Sequence, residues 1–468
     1  MTVGPSVSRG VILGYSLLVV LPLLLILLVL HVGTARHPSM APATTVAAPA
    51  ALPPVPDKPS VGLLLVQILT ILVATRVCGL AVRPLGQPQV VGEMLAGILL
   101  GPSLLGLLAP VASATLFPPS SLEVLSALSE VGMVLYMFLV GMDLDAGALR
   151  ERRGTALLTS HVSIVFPFSL GTALALGVFD RFAPPGIRFT PFALFLGAAM
   201  SVTAFPVLAR ILSERGLQRT PLGALATSAA ALGDVTAWVI LAAIVVVVRT
   251  TGTEGLPLAS VLGVVLFVAG AWLVRRPLRR QAAAAFEARG GMTHALLATL
   301  VALALAGAAV TQALGLHALF GAFFAGFTLS TERRLVEAAR ERLEGPLVVV
   351  LVPLYFAFTG LRTRLDVLVG PELWALALVV LGAAVVGKLG GSALAARVGG
   401  VPWREAAALG VLMNTRGLME LVILNVGLDL GVLSPALFAI FVLMALLTTL
   451  MTSPLLSALG VPAKAAPA

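Results

Sequence analysis

The sequence predicts an all-α polytopic membrane protein. Of its 468 residues, 59% are hydrophobic and only 11% are charged, and the mean hydropathy is +1.06. A soluble domain carries about 25% charged residues, and a soluble body of this length would need such a polar surface. Apolar runs long enough to span a bilayer recur along the chain, without the period-two alternation of a membrane β-barrel. The composition therefore excludes a soluble enzyme and a disordered chain.

The first apolar run, 11–31, is followed by an Ala/Pro-rich stretch over 33–60. We interpret residues 1–60 as an N-terminal hydrophobic leader and a linker. The run is longer than the ~7–15 apolar residues of a signal-peptide core, but the pattern is compatible with both retention and removal of the leader. The single cysteine, Cys78, excludes an internal disulfide and a cysteine-built metal site.

About thirteen further spans are predicted between residues 61 and 459, followed by a short C-terminal tail over 460–468. The candidates lie near 61–82, 90–107, 122–142, 155–178, 191–212, 221–248, 257–275, 294–313, 315–331, 345–361, 372–396, 403–427 and 434–459. Each has the ~20 mostly apolar residues that a membrane helix needs.

Arginines gather in alternate loops. The loops after odd-numbered spans contain Arg83, Arg150, Arg152, Arg153, Arg210, Arg215, Arg219, Arg275, Arg276, Arg279, Arg280, Arg289, Arg333, Arg334, Arg340, Arg342, Arg397 and Arg404. The other loops contain only Arg181, Arg188, Arg249, Arg362 and Arg364. Because basic residues accumulate on the inner face of a membrane, these odd-numbered loops and the C-terminus are predicted to be cytoplasmic, in a cell (inner) membrane. The net charge of +9 is explained in this way, without a nucleic-acid partner.

The sequence contains neither a Walker-type phosphate loop nor a dinucleotide fingerprint after a strand. We therefore expect no cofactor and no enzymatic activity, and any transport has to use ion gradients or be passive.

Ionisable residues within the predicted spans are the main functional candidates, because charges at mid-membrane are costly. They are Asp234, Lys388, Arg416 and Glu420. Arg416 and Glu420 are four residues apart, a spacing that favours a structural ion pair on one helix face. Glu93 and Glu130 also lie in predicted spans, and for them we favour a structural role.

Lys388 is one of only three lysines among 30 basic residues. Arginine cannot release its proton in a protein, whereas a buried lysine can, which favours a chemical role for Lys388 over a lysine that snorkels to the interface. Asp234 has two interpretations: a structural carboxylate held by hydroxyls or by Lys388, or a carboxylate that binds either a proton or a monovalent cation.

Two predicted spans contain helix-breaking sequences. Ser201, Thr203 and Pro206 lie in the fifth span, and Asn414, Thr415, Arg416 and Gly417 lie in the twelfth. Irregular backbone is tolerated in a membrane where it is buried or lines a cavity, and a matching pair of interrupted spans indicates a transporter built from inverted repeats. The predicted repeats are spans four to six and spans eleven to thirteen, each with a broken helix at its centre.

Several longer motifs occur in a familiar order. They are residues 87–103, 128–132, 138–145, 201–210, 229–238, 321–323, 353–361 and 414–421, and Thr448 with Thr449. With these motifs the chain resembles the monovalent cation:proton antiporters, in the branch with the Kef-type and plant cation/proton exchangers. The resemblance covers residues 61–459.

The resemblance implies a membrane homodimer whose subunits have two parts. A core near 155–248 and 372–459 would contain two unwound, crossing helices, and the remaining spans would form most of a dimerisation domain. By the same resemblance, Asp234 matches the ion- and proton-binding aspartate, Thr203 the unwound-helix position beside it, and Lys388 the core lysine. Ser201, Pro206, Gly233, Asn414, Thr415, Arg416 and Glu420 match the supporting core.

Gly233 departs from the family pattern, because many relatives have a second carboxylate or an asparagine at this position. Lys388 must therefore pair with Asp234, find another partner or lose its proton. With one carboxylate instead of two, the resemblance favours electroneutral one-for-one exchange. The soluble nucleotide-binding domain of the Kef-type members is also missing.

We therefore expect a secondary transporter that exchanges Na⁺ or K⁺ for H⁺ by alternating access, with cation and proton competing for Asp234. The main alternative is a cation-coupled solute symporter of a related inverted-repeat fold. A cation channel would need a selectivity filter, which we do not recognise in the sequence, and a silent membrane scaffold would leave the mid-membrane charges unexplained.

Overall fold

The fold was analysed in a computed structural model that describes residues 14–37, 60–85, 87, 89–143, 153–217, 220–250, 258–314 and 318–461. Most of the predicted linker and nearly all of the C-terminal tail lie outside these residues. The helices are α1 (Ser16–Arg36), α2 (Val61–Val82), α3 (Gln89–Leu100), α4 (Leu105–Leu108), α5 (Pro110–Leu116), α6 (Pro119–Asp143), α7 (Arg153–Phe182), α8 (Phe189–Ser201), α9 (Phe205–Glu214), α10 (Pro221–Thr250), α11 (Leu258–Ala288), α12 (His294–Ala313), α13 (Ala318–Phe327), α14 (Arg333–Pro346), α15 (Val352–Arg362), α16 (Pro371–Val385), α17 (Gly391–Val398), α18 (Trp403–Met413), α19 (Leu418–Asp429) and α20 (Pro435–Ala458).

The predicted all-α polytopic fold is confirmed. No strand occurs in the described residues, and ten helices among them are long and apolar enough to cross a membrane. Each predicted span overlaps one helix or a pair of consecutive helices, with 191–212 divided between α8 and α9 and 403–427 between α18 and α19. The number of spans itself stays a prediction.

Two helices run further than the apolar pattern. The span predicted over 155–178 lies within α7, and the span predicted over 257–275 continues in α11 to Ala288. Helical hydrogen bonding continues past the apolar segment of α11 because its end is rich in arginine and alanine, which are good helix formers. Hydropathy predicts where an apolar span ends, but the helices α7 and α11 continue beyond that point.

The helices fall into two groups by their contacts. The first comprises α2, α3, α6, α12, α13 and α15, which pack mainly on one another, and the second comprises α7, α8, α10, α16, α17, α18, α19 and α20. The helix α1 packs against α7 and α8 and so lies on the second group. Contacts between the groups include those of α15 with α19 and of α3 with α20.

Close helix packing in the first group depends on glycine. A Cβ added to Gly360 in α15 would lie 2.7 Å from the Cα of Gly97 in α3, and one added to Gly307 in α12 would lie 2.6 Å from the carbonyl oxygen of Gly321 in α13. Only residues without a side chain allow such an approach of two backbones. These contacts explain part of the high glycine count.

Candidate ion-binding site at two crossed helix breaks

The predicted pair of broken, crossing helices is present. Between α8 and α9 the chain is extended, with Val202 at φ −84° and ψ 142°, and a second break separates α18 from α19. The breaks are joined by two hydrogen bonds of 3.0 Å, from the N–H of Ala204 to the carbonyl oxygen of Thr415 and from Oγ1 of Thr203 to the carbonyl oxygen of Met413. The backbone groups that each break leaves without a helical partner are thus partly satisfied by the other break.

Pro206 stands in the first turn of α9, which begins at Phe205. The N–H groups of a first helical turn have no partner within the helix, so a proline there costs no hydrogen bond. The sequence analysis included Pro206 in the helix-breaking sequence of the fifth span. In the structure the unwound residues precede this proline, which helps to start the second half-helix.

The end of α8 is held by charged side chains. The last four carbonyl groups of a helix lack partners within the helix. In α8 the Ser201 hydroxyl donates to Ala198 (2.9 Å), and Arg416 donates to Ala199 (3.0 Å) and Met200 (2.6 Å). Lys388 donates to the carbonyl oxygen of Ser201 itself. Both cations therefore lie at the negative end of the α8 dipole, where positive charge is favoured.

Lys388 has a second partner that the sequence of α7 provides. Pro167 lies inside α7 and has no N–H, so the carbonyl group of Ser163, four residues earlier, lacks its helical donor. The Nζ of Lys388 donates to this oxygen at 2.9 Å. Lys388 itself lies in a π-helical turn, Val386–Gly390, a feature often found at functional sites. Lys388 thus has two partners other than Asp234, the carbonyl oxygens of Ser163 and Ser201.

Asp234 lies in the middle of α10 and is only 1% exposed. Its carboxylate accepts a hydrogen bond from the N–H of Phe205, the first residue of α9, and Lys388 is near enough to act on it electrostatically. Its Oδ1 atom has no hydrogen-bond partner among the described residues. A carboxylate is favoured at the positive end of the α9 dipole, and its free oxygen can accept a proton or a cation.

The second break is satisfied differently. The N–H of Asn414 donates to the carbonyl oxygens of Gly410 (3.1 Å) and Val411 (3.2 Å), and the Thr415 hydroxyl donates to Leu412 (2.8 Å). The predicted ion pair is formed, with Nη1 of Arg416 3.1 Å from Oε2 of Glu420, and both side chains are buried. Thr449 of α20 holds the backbone of Arg416 from both sides, accepting from its N–H at 3.1 Å and donating to its carbonyl at 2.8 Å.

The structure therefore gathers the predicted site residues around the crossing and leaves two glutamates outside it. Glu93 accepts from Gln89 at 2.9 Å within α3, and the exposed Glu130 accepts from Ser126 at 3.1 Å within α6. Neither contact involves the crossing. Among the described residues no cluster of His, Cys, Asp or Glu is arranged to hold a metal ion.

Sequence reasoning missed Ser163 and Pro167 of α7 and assigned no role to Thr449. The signal for Ser163 was available, since a proline inside an apolar span leaves the carbonyl four residues earlier without a donor. No such signal exists for Thr449, because only the folded chain places its hydroxyl beside Arg416.

Comparison with known proteins gives the family. The family described as "Sodium/hydrogen exchanger, transmembrane" matches residues 68–459. The Na⁺/H⁺ antiporter NhaS4 of Synechocystis is 42% identical, over 84% of this chain and 96% of its own length. Cation/H⁺ antiporter 17 of Arabidopsis thaliana is 40% identical over 86% of this chain, and K⁺/H⁺ antiporter 1 of Saccharomyces cerevisiae is 33% identical over 84%. The chain spans about half the length of these plant and yeast relatives, 49% and 46%.

A solved structure has the same fold. The sodium proton antiporter MjNhaP1 of Methanocaldococcus jannaschii superimposes with a TM-score of 0.62, covering 84% of this chain and 99% of that one, at 14% sequence identity. The family match, the similarity to relatives and the crossed helix breaks agree. The chain belongs to the sodium/hydrogen exchanger family and is a cation/proton exchange transporter of the membrane, not an enzyme.

Proposed function

We propose that the chain exchanges Na⁺ or K⁺ for H⁺ by alternating access, with Asp234 as the group that both ions bind. The observation that carries the proposal is the buried Oδ1 of Asp234, which has no hydrogen-bond partner among the described residues. A buried carboxylate oxygen without a donor is costly unless a cation or a proton neutralises it.

Coupling follows from the electrostatics of this single group. A proton and a monovalent cation each neutralise the same charge, so the binding of one excludes the other. A carboxylate without either ion carries a net charge through a low-dielectric region, which is expensive. Asp234 therefore crosses the membrane barrier with one ion or the other, and every cycle exchanges them.

The parts of the molecule support alternating access by movement of one helix group against the other. The core near 155–248 and 372–459 would move, with the crossing, Asp234 and Lys388 as one unit, because these elements are tied by hydrogen bonds across both breaks. The remaining spans would form the fixed dimerisation domain of a homodimer within the lipid.

The relatives are named for different cations. NhaS4 of Synechocystis is named for Na⁺, the yeast relative for K⁺, and GerN of Bacillus cereus for both. With Gly233 before Asp234, the site has one carboxylate, which favours electroneutral one-for-one exchange. We place the chain in a cell (inner) membrane with its C-terminus in the cytoplasm, from the distribution of arginines among the loops.

The proposal is tested with purified protein in proteoliposomes that contain a pH-sensitive dye, to which Na⁺, K⁺ or Li⁺ is added in turn. Asp234→Asn should abolish the cation-dependent pH change because the amide carries no charge to neutralise. Asp366→Asn is the matched control, since Asp366 lies in the turn after α15 and its carboxylate pairs with Arg364 (2.7 Å). Full exchange by a folded Asp234→Asn variant would overturn the assignment.

Competition between cation and proton for Asp234 predicts a specific pH dependence in the same assay. As the pH falls, protons occupy Asp234 more often, so the cation concentration needed for half-maximal exchange should rise by up to about tenfold per pH unit. If that concentration stays constant while only the maximal rate changes, cation and proton do not share Asp234.

A further inference from the structure

Gly233 leaves a space beside Asp234. A Cβ added to Gly233 would meet a single side-chain atom within 4 Å, the Oγ of Ser160 at 3.7 Å, which is ordinary contact. Most buried glycines of this chain instead allow close backbone approach, as Gly97 and Gly360 do. At Gly233 the missing side chain therefore leaves room for another group rather than for a neighbouring helix.

Ser160 presents an unused hydroxyl to this space. Its side chain is 0% exposed, and its Oγ has no hydrogen-bond partner among the described residues. The other buried serines of α7 differ, because the hydroxyl of Ser163 donates to the carbonyl of Ser160 (2.8 Å) and that of Ser169 to the carbonyl of Phe166 (2.7 Å). An unpaired buried hydroxyl is costly and indicates a partner that binds there.

The hydroxyl and the carboxylate belong to one neighbourhood. Gly233 precedes Asp234 directly, and Ser163, one turn after Ser160 on α7, accepts a hydrogen bond from Lys388, which acts electrostatically on Asp234. The Oδ1 of Asp234 is likewise buried without a partner. Two buried oxygens without partners, the Oγ of Ser160 near Gly233 and the Oδ1 of the next residue, Asp234, thus belong to the same part of the core.

We propose that the Oγ of Ser160 is a ligand of the transported monovalent cation, together with Asp234, in the space beside Gly233. The inference rests on the proposed function and adds a neutral oxygen to its binding site. The number and field strength of such oxygens determine how well a site distinguishes monovalent cations. Ser160 would thereby contribute to the choice between Na⁺ and K⁺, whereas a proton needs only the carboxylate.

The test compares Ser160→Ala with Ser169→Ala in the proteoliposome assay. Removal of one ligand should raise the half-saturating cation concentration about tenfold, with a smaller change in maximal rate, because one charge-assisted contact to an ion is worth about that factor. Gly233→Ala is a second, independent variant. Alanine is favourable within a helix, and its methyl group would occupy the space and raise the same concentration.

The control variant should behave like the wild type because the Ser169 hydroxyl is already used within α7. If Ser160→Ala and Ser169→Ala have the same half-saturating concentration, Ser160 is not a ligand, while the Asp234→Asn result still decides the proposed function separately. Cation-dependent stabilisation against thermal unfolding in detergent provides a readout that needs no transport. The wild type and Ser169→Ala should be stabilised more than Ser160→Ala, and equal stabilisation of all three would overturn the inference.

The first helix, α1, carries a second inference from different contacts. At one end the hydroxyl of Tyr15 lies 2.7 Å from Nδ1 of His161 in α7. At the other end the imidazole of His37 lies 3.1 Å from a carboxylate oxygen of Asp180 in α7 and stacks on Phe189 of α8, with ring centroids 5.6 Å apart. These contacts fix α1 at both ends of α7.

We infer that α1 is retained in the membrane protein as an additional span and moves with α7 and α8. A leader that is removed after targeting has no need of polar contacts to the folded chain at both of its ends. The ring of Phe189 also packs directly against the backbone of α1 at Gly33, where a Cβ atom would clash with it. The helix lies on the group that contains the crossing and not on the group that contains α2 and α3.

The intact mass of the purified protein tests retention directly, since removal of the leader would lower it by the mass of the leader segment. Joint movement is tested by cross-linking in a Cys78→Ser background, with a short bifunctional thiol reagent bridging His37→Cys and Asp180→Cys. The matched control is the pair Arg362→Cys and Asp429→Cys, which joins α15 to α19 across the two groups, where the native side chains lie 2.5 Å apart.

The cross-link between α1 and α7 should leave exchange intact, and the cross-link between α15 and α19 should block it. A purified chain that lacks the leader, or a loss of exchange on bridging α1 to α7, would overturn this inference. Neither result bears on Asp234 or Ser160, whose tests do not depend on α1.

Discussion

The two helix breaks, between α8 and α9 and between α18 and α19, are both short interruptions of a helix, but different kinds of side chain stabilise them. The last turn of α8 is held by two cations, Arg416 and Lys388, whereas the last turn of α18 is held by neutral donors, among them Thr415 and Thr203. At the half-helices that follow, Asp234 and Glu420 each have one buried oxygen without a hydrogen-bond partner, Oδ1 and Oε1. Glu420 at the start of α19 nevertheless forms an ion pair with Arg416, whereas Asp234, which faces α9, forms none among the described residues.

The difference indicates a division of labour between repeated parts. At the break between α18 and α19 the carboxylate of Glu420 is neutralised by the guanidinium of Arg416, so this break can act as a support. At the break between α8 and α9 the carboxylate of Asp234 forms no ion pair among the described residues. The need for a bound ion is therefore greater at the first break than at the second. Substitutions can separate the two roles, because they should affect folding and exchange to different degrees.

Arg416 is expected to give the largest effect on stability. Arg416→Met removes the donors to Ala199 and Met200 and leaves Glu420 buried without its cation, which should cost about 3–5 kcal/mol. Yield and thermal unfolding in detergent measure the loss. Glu420→Gln is the control, since it keeps the donors to α8, and it should be clearly milder. Equal losses would mean that the ion pair, and not the cap on α8, is what Arg416 supplies.

Lys388 should matter less for folding and more for exchange. Lys388→Met leaves the carbonyl oxygens of Ser163 and Ser201 without this donor, at a cost of about 1–3 kcal/mol. Exchange should fall strongly even in the folded fraction, because the charge acting on Asp234 is gone. The measurement is exchange per folded protein, normalised by size-exclusion chromatography. A variant that is unstable yet fully active per folded molecule would make Lys388 purely structural.

Thr203 tests the neutral connection between the breaks. Thr203→Val removes the 3.0 Å hydrogen bond to Met413 and should lower the free energy of unfolding by about 0.5–1.5 kcal/mol. Thr203→Ser keeps the hydroxyl and should restore most of that stability. If the valine and serine variants unfold at the same temperature, the hydrogen bond contributes nothing to the crossing.

Pro167 should give the smallest change in stability. Pro167→Ala supplies an N–H to the carbonyl oxygen of Ser163, which then no longer depends on Lys388, and the net change should be about 1 kcal/mol or less. Exchange should nevertheless slow several-fold, since Lys388 loses one of its two partners. The measurement pairs a thermal unfolding curve with the dye assay. Unchanged exchange would show that the bond to Ser163 is dispensable.

Whether a site residue can be predicted from the sequence depends on the kind of interaction that it makes. Asp234, Lys388 and the Arg416–Glu420 pair could be found because charge in an apolar span is conspicuous, and the i, i+4 spacing already defines the ion pair. The breaks could be found from Pro206 and from Asn414 with its neighbours. These signals depend only on residues that are close in the sequence, so they can be recognised without knowledge of the fold.

The carbonyl partners of Arg416, and Ser201 as a partner of Lys388, could not be found in this way. The carbonyl oxygens of Ala199, Met200 and Ser201 bear no side-chain signature, and only the crossing of two distant segments brings cations to them. Ser160 is a serine among many in the chain, and it stands out by its unpartnered hydroxyl near Gly233, which no sequence pattern records. Hydrogen bonds to backbone carbonyl oxygens of distant segments therefore cannot be predicted from the sequence.

The cations that cap α8 have a consequence for the electrical insulation of the membrane. A pore that conducts cations offers free carbonyl oxygens in place of water, but here the carbonyls at the end of α8 are occupied by Arg416 and Lys388. The guanidinium of Arg416 is permanently positive, so an unaccompanied cation meets repulsion at these carbonyl groups. The same contacts that hold the broken helix together therefore oppose a leak of ions, and the gradients that drive exchange are preserved.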